Sequence, residues 1–362
     1  MKVLHVVTRI DSGGISSFLG NYYKYIDEQK ISFDVVAIDT GERQGYHDYF
    51  ESLGMKVYYM PNNIFERLKF LVRLMKKNQY DIVHSHIELQ SAVYLAVAAV
   101  SGVKVRISHA HLSKANLGLK NTLLRYLMNA VVTKRAGASD LSLDAVFGEK
   151  YAEKGCVINN AIEVEKFSFN ADIRKQYRKL LNFDGKLVLG FVGRLSHQKN
   201  IYFLIKVFAE VAKRNPNVIL LVIGDGELRK PMVEELEKAN IYDKVLFLNI
   251  RDDVNALMMA MDIMLLPSFY EGLPLVLVEA QCAALKCIVS DEVTKLISIT
   301  DYIIYKGIKN DDIRNWANAI EEIGNDYRRE VIDDIITDNN FNIKAEAEKL
   351  VRLYSELIAS KE

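Results

Sequence analysis

The sequence predicts an α/β fold built from two domains with parallel sheets. Short apolar runs alternate with amphipathic segments of helical length along all 362 residues, which is the pattern of βαβ units. The length suits about two domains of ordinary size. The pattern also restarts after the charge-rich stretch 163–184, where we expect the domain boundary. Each half is therefore predicted to form a Rossmann-like domain, and the two domains are expected to face a central cleft.

The apolar runs predict ten strands, and each is followed by a segment that can form a helix. In the first half the runs lie at 3–7, 33–38, 56–59, 82–85 and 103–108. In the second half they lie at 187–192, 218–223, 245–248, 263–266 and 287–289. We expect domains at 1–165 and 166–342, and a terminal helix at 343–362 that packs on either domain, including back on the first.

Composition excludes several classes of protein. The chain has 47 Lys and Arg and 47 Asp and Glu, so no overall field favours nucleic acid. Its three cysteines have neither CxxC nor zinc-finger spacing, which argues against a disulfide framework or a zinc finger. The first residues do not resemble a signal peptide, and the longest apolar run, 92–100, is too short to span a membrane. We expect a cytoplasmic protein, or one on the inner face of the cell membrane.

Positive charge is concentrated between residues 56 and 135. This stretch holds thirteen Lys and Arg against three Asp and Glu. Within it, 64–77 reads as a helix with one apolar side and basic residues around it. A solvated helix face is the plain interpretation, and a surface that meets anionic lipid headgroups is the alternative.

Three segments have residues suited to binding a phosphorylated sugar. The first βα turn contains Gly13 and Gly14, where backbone N–H groups and a helix N-terminus can approach an anion, although a plain tight turn would also explain two glycines. The segment 190–200 places Arg194 and Lys199 at the carboxyl end of a strand. Their two positive charges match a diphosphate, whereas the alternative is exposed loop charge.

The segment 262–280 is the most informative of the three. An apolar strand ends at Pro267, a loop contains Glu271 and Gly272, and Pro274 suits the first turn of a helix that contains Glu279. A carboxylate can accept hydrogen bonds from both hydroxyls of a vicinal diol, so the two carboxylates suit a ribose and a sugar. The helix N-terminus between them suits phosphate.

These motifs occur here in the order and context of glycosyltransferase family 4. The chain resembles that family through 193–199, 224–228 and 271–279, over nearly its whole length, and the resemblance implies the GT-B architecture. It is similar in particular to bacterial capsular and exopolysaccharide glycosyltransferases, through 81–86, 106–111 and 157–163. The family implies a retaining hexosyl- or N-acetylhexosaminyltransferase that needs no metal. It would use a nucleotide sugar, expected to be a UDP-sugar, and an acceptor that is a saccharide or a saccharide linked to a polyprenyl lipid.

The resemblance also implies roles for single residues. The N-terminal domain would bind the acceptor and the C-terminal domain the nucleotide sugar. Arg194 and Lys199 would hold the diphosphate, Glu279 the ribose diol and Glu271 the hydroxyls of the donor sugar. The remaining expected donor contacts are Gly13, Gly14, Gly224, Gly272 and Leu273, and the turn of Gly13 and Gly14 would approach either the donor phosphate or the acceptor.

His109 matches the family histidine that faces the donor sugar, with His111 as its substitute. Together with His84 and His86 they also suggest a metal site, but no cysteine or acidic ligand clusters with them, so we expect no metal there. The catalytic set is thus predicted to be His109, Arg194, Lys199 and Glu271. Two other functions stay open: a sugar-nucleotide epimerase of the GT-B fold, and an inactive homologue that acts as a binding partner.

Overall fold

The computed structural model describes residues 1–11, 14–112, 118–324 and 328–361. The chain divides into two compact units, one formed by Met1–Ala161 with Asn342–Glu362 and the other by Ile162–Phe341. Each unit contains its own parallel sheet, so the prediction of two parallel-sheet α/β domains is confirmed. The sequence pattern sets the boundary after residue 165, and the contacts within the structure divide the chain after Ala161.

The first unit has, within its described residues, a sheet of seven strands in the order β3-β2-β1-β4-β5-β6-β7, with all neighbours parallel. The strands are β1 (Lys2–Val6), β2 (Ser32–Ile38), β3 (Lys56–Met60), β4 (Ile82–Ser85), β5 (Val105–Ala110), β6 (Lys134–Gly137) and β7 (Gly155–Val157). The helices are α1 (Gly14–Lys24), α2 (His47–Ser52), α3 (Ile64–Asn78), α4 (Ser91–Val100), α5 (Leu119–Val131), α6 (Asp140–Phe147) and α7 (Glu149–Ala152).

The second unit repeats this plan with the strand order β10-β9-β8-β11-β12-β13, again parallel throughout its described part. The strands are β8 (Leu187–Val192), β9 (Val218–Ile223), β10 (Val245–Phe247), β11 (Ile263–Leu266), β12 (Lys286–Ser290) and β13 (Ile303–Lys306). The helices are α8 (Val164–Phe167), α9 (Ala171–Leu180), α10 (Ile201–Arg214), α11 (Arg229–Lys238), α12 (Val254–Ala260), α13 (Leu275–Cys282), α14 (Ile313–Ile323) and α15 (Asp333–Asp338).

The strand order of each sheet reverses at one point, between β1 and β4 in the first unit and between β8 and β11 in the second. Open parallel sheets bind ligands at such a switch point, beyond the carboxyl ends of the strands. In the second unit the loops that leave β8 and β11 carry Lys199 and Glu271. The topology therefore brings two of the predicted site residues to the edge of the sheet where a ligand is expected.

All ten strands expected from the apolar runs are present, with ends that agree to within two residues. The pattern missed β6, β7 and β13. The first of these begins with Lys134 and Arg135, the second has three residues, and the third lies at the edge of its sheet and is half-buried. None of them has the continuous apolar run by which a fully buried parallel strand is recognised.

The last helix, α16 (Ile343–Ala359), belongs to the first unit. Its buried residues Ile343, Ala347, Leu350 and Tyr354 follow helical spacing and pack with the side chains of α1 and β2. The Tyr354 hydroxyl also lies 2.7 Å from Nδ1 of His84 on β4. The first core is thus completed by residues that follow the whole second unit in sequence.

Candidate functional site

Glycines allow the loops after β8 and β9 to pack backbone against backbone. Gly224 has a φ of 128°, and a Cβ atom there would lie 2.0 Å from the carbonyl oxygen of Gly193. The same construction at Gly226 would place a Cβ atom 2.4 Å from the carbonyl oxygen of Leu195. The structure thus gives Gly224 a packing requirement that is independent of any ligand. Its predicted contact with the donor stays a prediction.

Lys199 and Glu271 form a short ion pair beside these loops. Lys199 Nζ donates to Glu271 Oε1 at 2.6 Å, and the two side chains are only 14% and 10% exposed. The lysine stem runs over Gly193, because a Cβ atom there would lie 3.3 Å from Lys199 Cε. Gln198 adds a hydrogen bond from Nε2 to the carbonyl of Tyr270 at 2.9 Å. The loops after β8 and β11 are therefore held together by polar contacts at the switch point.

Arg194 lies on the same loop as Lys199 but at the surface. Its side chain is 76% exposed, and Nε lies 3.4 Å from Glu227 Oε2, which is itself half-exposed. An exposed guanidinium with one weak partner can turn toward an incoming anion at little cost. The structure thus joins Lys199 to Glu271 and pairs Arg194 with Glu227, which lies in the motif 224–228 but had no predicted role of its own.

Glu279 lies on α13, one turn beyond the start of the helix at Leu275. Burial raises the pKa of its carboxyl to about 7, and the positive charge of Lys166 acts in the opposite direction. Near neutral pH this carboxyl is therefore divided between its protonated and ionised forms.

The remaining predicted donor contacts differ in their surroundings. Gly272 is exposed and has open space on its Cβ side, whereas Leu273 packs against the core of the second unit. Gly14 is the first residue of α1, and a Cβ atom there would meet no other atom within 4 Å. Gly13 lies outside the described residues. Open space beside Gly14 and Gly272 leaves room for a ligand at both positions.

Five histidines form one cluster at the carboxyl ends of β1, β4 and β5. His5 on β1 is in register with His84 on β4. Side chains two positions apart along a strand share a face, so His86 lies on the side of His84 and His111 lies on the side of His109. The rings of the neighbouring strands stack on each other. His5 Nδ1 lies 3.0 Å from His86 Nε2, and His86 Nδ1 lies 2.9 Å from His111 Nε2. Three of the five imidazoles, those of His5, His86 and His111, therefore form a hydrogen-bonded chain that ends at His111.

Burial determines the charge of this cluster. It lowers the pKa of all five imidazoles, to about 3 for His5 and about 4 for His111, so the rings are neutral near pH 7. His109 is fully buried, whereas His111 is partly exposed. The backbone N–H of His111 donates to Glu88 Oε1 at 2.9 Å, and burial raises the pKa of that carboxyl to about 7. Of the two candidate histidines, His111 is the less buried residue.

Sequence reasoning noticed four of these histidines and missed His5 and Glu88. The signal for His5 was present, because it lies on the predicted first strand with the same two-residue alternation as the others. Glu88 had no comparable signal, since its position depends on the short helical turn that precedes α4. Both residues orient the histidines rather than add a new kind of chemistry.

The structure corrects the interpretation of the basic stretch as one charged surface. Arg67, Arg106, Arg125 and Arg135 donate hydrogen bonds to backbone carbonyls of the same unit, so they serve internal contacts. The exposed basic residues of α3 are Lys69, Arg73, Lys76 and Lys77. Lys114, which was expected to contribute, lies outside the described residues. The exposed charge is therefore smaller than the sequence count suggests.

Helix α5 instead presents a stripe of apolar side chains to solvent. Leu119 is 91% exposed, Leu123 70% and Tyr126 69%, at the i, i+4 and i+7 positions of one helix face. Both α3 and α5 pack on α4. In the described part of the chain, no helix is long and apolar enough to cross a membrane.

Comparison with known proteins finds a family match in the second unit and relatives along almost the whole chain. Residues 172–341 match the family model described as Glycosyl transferases group 1. EpsF of Bacillus subtilis (strain 168), a protein named as a glycosyltransferase, is 28% identical over 98% of this chain and 96% of its own length. The Staphylococcus aureus capsular polysaccharide biosynthesis glycosyltransferase CapH is 23% identical over 98% of both chains.

Another relative and a solved structure are similar to this chain over almost its whole length. The Escherichia coli UDP-Gal:alpha-D-GlcNAc-diphosphoundecaprenol alpha-1,3-galactosyltransferase is 23% identical over 100% of this chain and 98% of its own. The crystal structure of Anabaena HepE in complex with UDP-glucose matches with a TM-score of 0.72 and 18% identity, over 99% of this chain and 98% of that one. The chain therefore carries a glycosyltransferase group 1 domain on the two-sheet fold of GT-B glycosyltransferases, and its relatives include bacterial capsular polysaccharide glycosyltransferases.

Proposed function

We propose that this protein transfers a sugar from a UDP-sugar to a saccharide linked to a polyprenyl diphosphate, in the synthesis of a bacterial capsular or exopolysaccharide. The relatives support this class of reaction, since the Escherichia coli protein is named for UDP-Gal and a diphosphoundecaprenol acceptor. The HepE structure, which has the same fold, was solved with UDP-glucose. Transfer with retention at the anomeric carbon follows from the resemblance to family 4.

The observation that carries the proposal is the ion pair of Lys199 and Glu271 at the switch point of the second sheet. It puts a cation and a carboxylate side by side where open α/β sheets bind their ligands. A nucleotide sugar needs both, because its diphosphate is anionic and its sugar presents hydroxyl donors. A buried ion pair is seldom more stabilising than apolar residues of the same size, so fold stability alone gives little reason for these two charges.

Each charged residue then has its own part in donor binding. Lys199 and Arg194 hold the diphosphate, and Arg194 exchanges its surface partner Glu227 for a phosphate oxygen. Glu271 accepts hydrogen bonds from hydroxyls of the donor sugar, and Glu279 accepts them from the ribose diol. The N-terminus of α13 adds backbone N–H groups that favour the same anion.

The chemistry we propose needs positioned charge rather than a metal. The bond between sugar C1 and the phosphate oxygen breaks, and its electron pair leaves with UDP. The acceptor hydroxyl bonds to C1 on the same face, and its proton passes to the departing phosphate. Lys199 and Arg194 stabilise the negative charge that grows on the diphosphate. His109, or His111 in its place, offers a neutral imidazole for a hydrogen bond to the sugar.

The acceptor is proposed to be met at the membrane surface, on the first unit. The basic residues of α3 attract anionic headgroups, and the apolar stripe of α5 inserts among them. A lipid-linked saccharide resides at this same interface. Membrane attachment is then expected to depend on apolar contact with lipid as well as on electrostatic attraction.

The proposed function is tested first by ligand-dependent stability. Thermal unfolding is followed with UDP, UDP-glucose, UDP-galactose, their N-acetylhexosamine counterparts and nucleoside diphosphates of other bases. A ligand at 100 times its Kd stabilises by about 2.7 kcal/mol, which gives a measurable rise in Tm. We expect the uridine nucleotides to give the largest rise. Absence of any shift across the panel would favour the inactive homologue.

The second step supplies the stabilising donor with and without a polyprenyl diphosphate saccharide. We expect a longer saccharide only when the acceptor is present. Proton NMR of this product should show the same anomeric configuration at the transferred sugar as in the donor. An isomerised nucleotide sugar formed without acceptor would identify an epimerase instead. An inverted product would overturn the retaining mechanism but leave transferase activity in place.

A further inference from the structure

The buried histidine cluster has more imidazole nitrogen atoms than hydrogen-bond partners. Within the described residues, buried ring nitrogens without a partner occur on His5, His84 and His109, and both nitrogens of His109 are among them. Buried polar atoms are normally paired, and leaving one unpaired costs free energy. Unpaired nitrogens on neutral rings are lone pairs or N–H groups directed into a protein interior, which is the arrangement that a metal ion can use.

The sequence led us to expect no metal at these histidines, but on the structure we propose that His86, His109 and His111 form a binding site for a transition-metal dication such as Zn²⁺ or Co²⁺. One nitrogen from each of the three rings lies within 4.8 Å of the other two. Neutral imidazole is the commonest protein ligand for these ions, and three histidines with one open position are a known zinc arrangement. The cluster differs from a surface group of carboxylates because its ligands are buried and uniform in type.

The distance between the rings of His86 and His111 requires only a small adjustment, and the ring of His109, whose nitrogen lies within 4.8 Å of the other two, would move nearer. His86 Nδ1 and His111 Nε2 lie 2.9 Å apart and share a proton. Two imidazole nitrogens on a tetrahedral zinc ion stand ~3.3 Å apart when each Zn–N bond is ~2.0 to 2.1 Å. The metal would take the place of the shared proton while these two nitrogens separate by a few tenths of an ångström. His109 would supply the third bond from a ring with no other partner among the described residues.

Access from solvent favours this group over its neighbour. His5, His84 and His86 also have three nitrogens within 4.8 Å, but all three rings are fully or almost fully buried. In the proposed site His111 is partly exposed, so an ion can reach it from solvent. A metal site needs such an entry path as well as ligands.

Two contacts around the site hold its ligands in place. His86 Nε2 lies 3.0 Å from His5 Nδ1, so His5 fixes the orientation of the ring whose Nδ1 would bind the metal. Glu88 Oε1 accepts the backbone N–H of His111 at 2.9 Å and brings a carboxylate next to the site. A ring partner such as His5 orients a metal-bound imidazole and raises the affinity for the ion, whereas Glu88 fixes the backbone of His111.

The site is not required for sugar transfer, and its effect on activity rests on the proposed function. If His109 or His111 bonds to the donor sugar, a metal on the same nitrogens removes that bond. Zn²⁺ is then a reversible inhibitor, whereas removal of metal leaves transfer intact. Binding itself is measured without reference to activity, so failure of one proposal is distinguishable from failure of the other.

The test is titration of the full chain, freed of metal, with Zn²⁺ by calorimetry and with Co²⁺ by visible absorption. We expect one equivalent of Co²⁺ with the intense d–d bands of tetrahedral coordination. His111→Ala and His86→Ala lose at least about 10²-fold in affinity, and His5→Phe about 10- to 10²-fold through its outer position. His47→Ala is the matched control, because His47, Asp48 and Glu51 form a separate surface group that could bind the ion weakly.

Retention of the tight equivalent in His111→Ala with its loss in His47→Ala would overturn the proposal, as would no binding tighter than millimolar. Because a buried His86→Ala variant can fail to fold, X-ray absorption of the zinc-loaded wild-type protein gives a second measurement. Three imidazole nitrogens in the first shell support the site. A shell dominated by carboxylate oxygen assigns the ion to the surface group and overturns it.

Discussion

Lys199 and Glu271 stand 72 positions apart in sequence, yet Lys199 Nζ lies 2.6 Å from Glu271 Oε1 in a pair that solvent barely reaches. The motifs predicted that Lys199 binds the diphosphate and that Glu271 binds the sugar, as two separate roles. Because the two side chains form an ion pair, the two roles depend on each other. When a diphosphate arrives, the lysine has two anionic neighbours, so donor binding and the position of Glu271 respond to each other.

Loss of the lysine is therefore expected to affect folding as well as catalysis. Lys199→Ala leaves Glu271 without its cation in a partly buried position, which costs on the order of 1–3 kcal/mol of unfolding free energy. Turnover falls by about 10²- to 10³-fold because a stabiliser of the leaving diphosphate is gone. Chemical denaturation and steady-state transfer assays measure the two effects.

Arg194→Ala is the matched control for that variant. It lowers turnover by about the same factor but leaves stability almost unchanged, since its side chain is 76% exposed. The double variant Lys199→Ala/Glu271→Ala recovers part of the stability lost in Lys199→Ala. Equal stability of Lys199→Ala and wild type would contradict the ion pair, and wild-type turnover in both single variants would contradict the phosphate role.

Glu279 is expected to make the free energy of unfolding fall as pH rises. Its pKa of about 7 in the folded protein exceeds the ordinary 4.5, so between these values the folded chain keeps a proton that the unfolded chain has released. Unfolding free energy therefore falls as pH rises through this range. We expect Glu279→Gln to lack this fall, and the difference in Tm from wild type to grow from about pH 5 to about pH 8.

The same titration affects nucleotide binding. As a carboxylate, Glu279 accepts two ribose hydrogen bonds, so UDP binds wild type more tightly as pH rises through about 7. Calorimetry with UDP at several pH values shows this trend, and Glu279→Gln does not. Glu271→Ala serves as control: it weakens transfer far more than UDP affinity, because UDP lacks the sugar. Unchanged UDP affinity in Glu279→Gln at high pH would contradict the ribose role.

The histidines are expected to act on transfer rather than on nucleotide binding. His109→Ala lowers turnover while the Kd for UDP stays within about twofold, because the proposed bond goes to the sugar. His111→Ala is measured beside it, and the exposure of His111 makes the two variants informative together. If only His111→Ala impairs turnover, the sugar contact belongs to His111, and if neither does, the cluster has no part in transfer.

Sugar transfer is expected to survive removal of divalent ions. The proposed stabilisers of the leaving group are the side chains of Lys199 and Arg194, which need no metal. Activity is compared before and after dialysis against EDTA, with heat-treated protein as a blank. Complete loss, restored by one divalent ion, would show a metal-assisted leaving group.

Attachment to membranes is expected to need both charge and apolar contact. Wild-type protein should sediment with anionic vesicles and much less with neutral ones, and salt should weaken the binding. Leu119→Ser/Leu123→Ser reduces sedimentation at high salt, and Lys76→Glu/Lys77→Glu reduces it at low salt. Leu180→Ser, on an exposed leucine of the second unit, is the control. Equal sedimentation of wild type and both double variants would remove this surface.

The sequence was enough to predict strands whose burial dominates their composition. Runs such as 187–192 and 218–223 are apolar at every position because helices cover both sheet faces, and their ends agree with the structure. The pattern missed β6 because Lys134 and Arg135 begin it. Arg135 is buried and its guanidinium donates hydrogen bonds to Asn129, six positions earlier at the end of α5, a contact that the apolar pattern of a strand does not indicate.

Candidate site residues could be named from motifs, but their contacts could not. The loops that carry Lys199 and Glu271 were found because glycine and proline punctuate them. The ion pair between Lys199 and Glu271 depends on the paths of two loops that follow different strands, and the sequence motifs do not show these paths. Net charge predicted the exposed basic surface less well. Arg106 and Arg67 count toward the positive charge of the stretch 56–135, but their guanidinium groups donate hydrogen bonds to backbone carbonyls of the same unit.

The placement of α16 determines the order in which this protein can be completed during synthesis. The residues of the second unit are contiguous, so that unit can close as soon as Phe341 leaves the ribosome. The first unit is translated earlier, yet its core waits for Ile343, Leu350 and Tyr354. Until they arrive, His84 lacks the Tyr354 hydroxyl and apolar surface stays uncovered. The half that is made first is therefore the half that is finished last, and its incomplete core is the part exposed to aggregation during synthesis.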